Sequence, residues 1–141
     1  MRVSSRGLME FPPELEDVEG AKDLHDWFGY WPKFHDAEVI RPHLDRTDAS
    51  ALVLHTWEMT EEVDEKGFYV LRKHIVVEFV MKEVVGLRLD GFSHQNVLFG
   101  LTIDRVDHGY RLALEDCYGI AGTIDATGVS IRLTPGKPKE A

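Results

Sequence analysis

The feature that most constrains this chain is an alternation of apolar and polar side chains between residues 69 and 81. Tyr69, Leu71, Ile75, Val77, Phe79 and Met81 are interleaved with Arg72, His74 and Glu78. Successive side chains of a strand point to opposite faces, so a period of two marks a half-buried β-strand. The pattern recurs along the chain. Val85, Leu87 and Leu89 alternate with Gly86, Arg88 and Asp90, and Val97, Phe99, Leu101 and Ile103 repeat it. Tyr110, Leu112 and Leu114 follow, then Ile120 and Ile124, then Val129, Ile131 and Leu133. Residues 51–59 are apolar and rich in β-forming types.

Glycine-bearing breaks between these runs predict hairpins at Glu65-Lys66-Gly67, Asp107-His108-Gly109 and Ala126-Thr127-Gly128. Parallel pairing needs long crossovers, for which the spacing leaves no room. One segment has helical spacing instead. Ala21, Leu24 and Phe28 fall at i, i+3 and i+7, Gly20 can start the helix, and Gly29 can close it ahead of Pro32. The sequence therefore predicts an α+β fold: a mainly antiparallel sheet of six to eight strands with one N-terminal α-helix. Alternation places one sheet face in the core and leaves the other wetter. A length of 141 residues fits a single domain over 1–141. Residues 1–19 read as an N-terminal arm that Leu8, Met9 and Phe11 can dock, and 135–141 as a polar C-terminal tail.

Charge narrows the partners. With 25 acidic against 16 basic residues the formal net charge is −9. Nucleic-acid binding wants a basic face for the phosphates, and a lipid surface wants a polybasic patch, so neither is expected. A basic protein partner is favoured, because complementary charge speeds encounter. Cys117 is the single cysteine and cannot form an internal bridge, which fits a reducing compartment. No secretory h-region follows Met1, and no apolar run reaches the roughly 18 residues of a membrane helix. These readings predict a cytoplasmic protein.

The densest stretch for chemistry is Trp31-Pro32-Lys33-Phe34-His35-Asp36-Ala37-Glu38-Val39. A strand starting near Asp36 would put Asp36 and Glu38 on one face and His35 on the other. Two carboxylates on one face can push their pKa values apart and serve acid–base work. The competing reading is that His35 and Asp36 hold a helix-to-strand turn by hydrogen bonds to backbone, a natural task for Asp. Trp31, Phe34, His35, Asp36 and Glu38 form the candidate functional patch. No residue is assigned a catalytic role. The seven histidines show no HxH or HxxxH spacing and no CxxC joins them, so no metal ligands and no cofactor are assigned. His55 and His74 read as a cross-strand pair or satisfied core groups. Cys117 reads as a buried inert thiol, and Gly119 and Gly122, inside a strand pattern, as a bulge or close-packing positions rather than a phosphate cradle.

The same stretch, following a short helix with an aromatic end, resembles the signature of small bacterial immunity proteins from polymorphic-toxin systems, the Imm50-like group. Glu115-Asp116-Cys117-Tyr118-Gly119-Ile120-Ala121-Gly122, followed by Val129-Ser130-Ile131, is similar to the C-terminal part of that family. The resemblance spans roughly residues 21–137. It implies a protein that binds and neutralises a cognate toxin, which is basic if the charge complement holds. Two other readings stay open. One is a small enzyme or ligand-binding protein using His35, Asp36 and Glu38. The other is a homo-oligomer built through an exposed sheet edge.

Overall fold

The computed structural model describes residues 11–138. Six strands run in chain order: β1 (Glu38–His43), β2 (Ser50–Val63), β3 (Tyr69–Asp90), β4 (Val97–Val106), β5 (Gly109–Tyr118) and β6 (Ala121–Pro135). Every pairing is antiparallel. The spatial order β1-β2-β3-β6-β5-β4 closes on itself as a barrel, with β4 returning to β1. The α+β class holds, with the strand count at six. The core is the barrel interior, which small barrels fill with side chains. Ile75, Val77, Phe79 and Met81 of β3, Leu52 and Leu54 of β2, Leu112 of β5 and Ile124 of β6 are fully buried.

One helix, α1 (Ala21–Phe28), precedes the barrel, with Ala21, Leu24 and Phe28 buried as their spacing predicts. Gly20 begins it at φ 88°, where a Cβ would lie 1.9 Å from the carbonyl oxygen of Ile131. Only glycine fits there. Gly29 ends it at φ 85° and donates its N–H to His25 O at 2.7 Å.

The helix and the turn before it pack against the barrel core alongside β6. β5 pairs with β6 only from Tyr110↔Ala126 to Leu114↔Gly122. Past that point β6 has no strand on its β5 side. Ile131 donates its N–H instead to Glu19 O at 2.7 Å. Leu15, Val18, Ala21, Leu24 and Phe28 are all buried in the same core. Phe11 sets its ring edge-on to His25 and Trp31, each at 5.8 Å. The docking expected for Leu8 and Met9 lies outside the described residues.

Two strands outrun their neighbours. β2 pairs with β3 only as far as Ser50↔Met81, so residues 82–90 are paired with β6 alone. Beside them lies an open cleft of about 980 Å³, lined by the 44–49 loop and residues 82–85 and 87. At the other end, β1 reaches β2 only to His55 and β6 reaches β3 only to Ile75. Residues 57–63 and 69–74 therefore leave the barrel as a two-stranded arm.

Four expectations from sequence are corrected. Ala126-Thr127-Gly128 is not a hairpin turn, because β6 runs straight through it. A Cβ on Gly128 would sit 3.6 Å from the Lys82 side chain, and Thr127 Oγ1 lies 3.2 Å from Lys82 O. Both residues lie within β6, where Gly128 pairs with Lys82 of β3, so they mark no reversal. The runs at 69–81 and 85–89 are one strand, whose bend is absorbed at Glu83 (φ 47°) and by a register shift between Val84 and Gly86. In β4 the inward residue is Leu98 rather than Phe99, since two register shifts between Val97 and Gly100 move the phase by one. Cys117 is exposed, not buried. It lies on β5 beyond the last rung to β6, where Glu115 to Tyr118 all face solvent.

Candidate functional site

Burial along the candidate stretch shows what each residue is for. Pro32, Phe34, Ala37 and Val39 are buried, while Lys33, His35 and Glu38 are exposed and Asp36 lies between. The period of two is interrupted once, between Phe34 and Ala37. There the chain makes a β-turn, with Ala37 N–H donating to Phe34 O at 3.1 Å. Asp36 at the third position takes φ 68°, the left-handed region that such turns require and that Asp tolerates. The extra residue lets Phe34 and Ala37 both face the core.

This turn is the seam that closes the barrel. Leu101 N–H donates to Lys33 O (3.2 Å), Asp36 N–H to Leu98 O (2.9 Å), Leu98 N–H to Ala37 O (2.9 Å) and Val39 N–H to Asn96 O (2.8 Å). Only one formal rung, Glu38↔Val97, joins β1 to β4, so these bonds do most of the closing. Phe34 is held in a left-handed conformation (φ 63°) that a bulky aromatic rarely adopts. Its ring is 2% exposed and packs edge-on to Phe79 at 5.7 Å. Such a backbone persists only where its surroundings over-determine it, and the main-chain bonds on either side do so here.

The structure brings His35 and Asp36 together and leaves Glu38 apart. His35 Nδ1 lies 3.3 Å from Asp36 Oδ2, and the His35 ring stands edge-on to Phe99 at 5.2 Å. The expected division, with His35 on one face and the carboxylates on the other, is therefore not what forms. Strand β1 starts at Glu38, not at Asp36, and the turn swings His35 outward beside Asp36. Among the described residues, Glu38 makes no side-chain hydrogen bond or ion pair with either. A cleft of about 230 Å³ beside the seam is lined by His35, Trp31, Phe34 and Trp57 among others, but not by Asp36 or Glu38.

The aromatic end of α1 reaches from this cleft to the root of the arm. Tyr30 donates its hydroxyl to Glu58 Oε2 at 3.2 Å. Burial first, and the Glu58 charge second, push the Tyr30 phenol up to about 12. Trp27 Nε1 donates to Lys73 O at 3.0 Å, and Lys73 Nζ to Phe28 O at 3.4 Å. His55 Nε2 and His74 Nδ1 are 3.0 Å apart, with Trp57 against both rings. The expected cross-strand histidine pair is thus formed. Burial is the main cause lowering both pKa values, followed for His55 by the charges of His74 and Lys137 and for His74 by that of Lys137.

Sequence reasoning missed Asn96. It is 4% exposed and fully bonded. Its Oδ1 accepts the N–H groups of Ser93 (2.9 Å) and Ile120 (3.1 Å), and its Nδ2 donates to Ser93 O (2.9 Å). Its main-chain oxygen takes the Val39 N–H. Gly119, at φ 94°, passes so close that a Cβ would lie 2.6 Å from Asn96 Oδ1. The two segments that carry the family resemblance, far apart in sequence, meet at this residue, one on its main-chain oxygen and the other on its side chain. The one local signal was Ser93 and Asn96 bracketing a short polar loop.

The sequence profile described as Immunity protein 50 matches residues 20–134. The chain belongs to the Immunity protein 50 family. The match begins at Gly20, the glycine that starts α1, and ends within β6, so the family's shared region takes in α1, the seam and the barrel. No curated protein and no solved structure is significantly similar to the chain. No helix of the described residues is long and apolar enough to cross a membrane.

Proposed function

We propose that this immunity-family protein binds a cognate bacterial toxin in the cytoplasm and neutralises it by occlusion, without turnover. The observation that carries the reading is the family match over residues 20–134. Physical features agree with it. The seam residues Phe34, Ala37 and Val39 are spent on closing a packed barrel, which suits a rigid binding scaffold. The net charge of −9 favours a basic toxin, since opposite charge raises the encounter rate.

A second reading, acid–base chemistry by His35, Asp36 and Glu38, has the 3.3 Å His35–Asp36 contact in its favour. Against it, the cleft beside His35 does not include either carboxylate. Co-expression separates the two. Under the immunity reading a toxin domain is expected to be encoded beside this gene; expressed alone it should stop growth, and this protein should restore growth and co-purify with it. The double variant Asp36→Asn, Glu38→Gln, checked for folding by circular dichroism, should still protect. A folded double variant that no longer protects, while the wild type consumes a substrate that the variant does not, would move the assignment to the enzyme.

A further inference from the structure

We infer that the β2–β3 arm is the element that grips the toxin, by placing an apolar cluster with an acidic border into an apolar groove with a basic rim. The inference rests on the immunity reading above and names its docking surface.

Exposed large apolar side chains gather on the arm. Phe68 is 67% exposed, Tyr69 59%, Val63 56%, Met59 52% and Leu71 38%. Met59 pairs with Leu71 and Val63 with Tyr69 in the strand register. Cross-strand partners share a face, and residues 69 and 71 lie two apart on one strand. Met59 with Leu71 and Val63 with Tyr69 therefore form two neighbouring exposed apolar pairs, with the register shifting between them on β2, and Phe68 lies next to Tyr69 at the tip. Clustered exposed apolar side chains rimmed by polar residues mark an interaction site.

The border of the cluster is acidic. Glu58, Glu61, Glu62, Asp64 and Glu65 lie on the arm against Lys66, Arg72 and Lys73. Arg72 pairs with Glu62, and Lys73 lies 3.8 Å from Glu58. Asp64 Oδ1 accepts the N–H groups of Lys66 and Phe68 to shape the tip. Among the described residues Glu61 and Glu65 make no ion pair, and the excess of acidic groups sets the sign of the complementary rim.

The arm is also positioned in advance. A two-stranded ribbon on its own is marginal in water. Here Trp27, Phe28 and Tyr30 clamp its root through Lys73 and Glu58, and Thr60 Oγ1 donates to Val70 O at 2.8 Å across it. Lys73 takes φ 58° at that root. A pre-organised element loses less freedom on binding, which raises affinity.

The test uses the full chain and the purified toxin domain encoded beside its gene, with association measured by surface plasmon resonance. Met59→Thr, Phe68→Ser, Tyr69→Thr together should weaken binding by at least roughly 30-fold, the loss expected of one hot-spot anchor. Glu61→Lys, Glu65→Lys should slow association and leave dissociation nearly unchanged. Val85→Thr, Leu87→Thr at the opposite cleft should change affinity by no more than about twofold, as a site outside the interface does. Wild-type binding matched by a folded arm variant would overturn the arm and leave the immunity reading standing. If the triple variant fails to fold, the folded charge-reversal variant decides, and unchanged association by it overturns the proposal. Wild-type protein that does not bind at all would overturn both readings. A dimer of the wild type alone that the arm variant abolishes in sedimentation would overturn it in favour of a second copy of this chain.

Discussion

Asn96 Oδ1 accepts the main-chain N–H of Ile120 at 3.1 Å, tying the turn after β5 to the start of β4, while Asn96 O holds Val39 of β1. One buried residue thus joins both segments that carry the family resemblance, the later one through its side chain and the earlier one through its main chain. Removing it leaves buried main-chain donors without a partner, which costs about 1–3 kcal/mol each. Asn96→Ala should lower the melting temperature by roughly 5–10 °C, read by circular dichroism. An unchanged melting temperature would mean that the seam does not depend on this knot. Gly119→Ala should be similarly damaging, because its Cβ would lie 2.4 Å from Gln95 O.

Phe34 and Asp36 both stand in the left-handed region, for opposite reasons. Main-chain bonds on either side hold Phe34 there and its ring is buried, so Phe34→Ala should destabilise by about 3–5 kcal/mol in urea titration. Asp36 is there because the turn requires it, and Asn enters that region readily. Asp36→Asn should therefore change stability by no more than about 0.5 kcal/mol. A Phe34→Ala protein as stable as wild type would show that the ring is not part of the core.

How much of this was legible in the sequence follows from the range of each signal. Gly20, Gly29 and the Ala21–Leu24–Phe28 spacing are local, and α1 begins and ends where they say. The hairpins at Gly67 and Gly109 are local too. Closure into a barrel was not legible, since it rests on main-chain bonds between 33–39 and 96–101 that no side-chain pattern records. Gly128 and Thr127 misled because a glycine that marks a turn can also sit inside a strand, as Gly128 does in β6. Phe99 misled because a shift of register moves the phase of alternation without altering composition. Within the candidate patch, burial of Phe34 could be read from the turn at Pro32 and the density of aromatics around it. The His35–Asp36 contact could not, because it depends on the turn geometry at Asp36.

The His55–His74 pair gives the fold a pH dependence above the usual acid range. Burial keeps both imidazoles below their ordinary pKa, which is near 6.5 in an unfolded chain. Just below that pH the unfolded chain binds more protons than the folded one, so stability falls as pH drops through the window. Denaturation midpoints should decline between about pH 7 and pH 5. His55→Gln, His74→Gln should flatten that slope. An equal slope in the double variant would place its origin elsewhere.

Occlusion and turnover differ most plainly in stoichiometry. A fixed amount of the adjacent toxin domain is incubated with increasing amounts of this protein, and residual toxin activity is followed over time. Binding predicts that activity falls linearly to an endpoint at one protein per toxin, and that it does not fall further with longer incubation. Complete loss of toxin activity at a small fraction of that amount, deepening with time, would contradict the account.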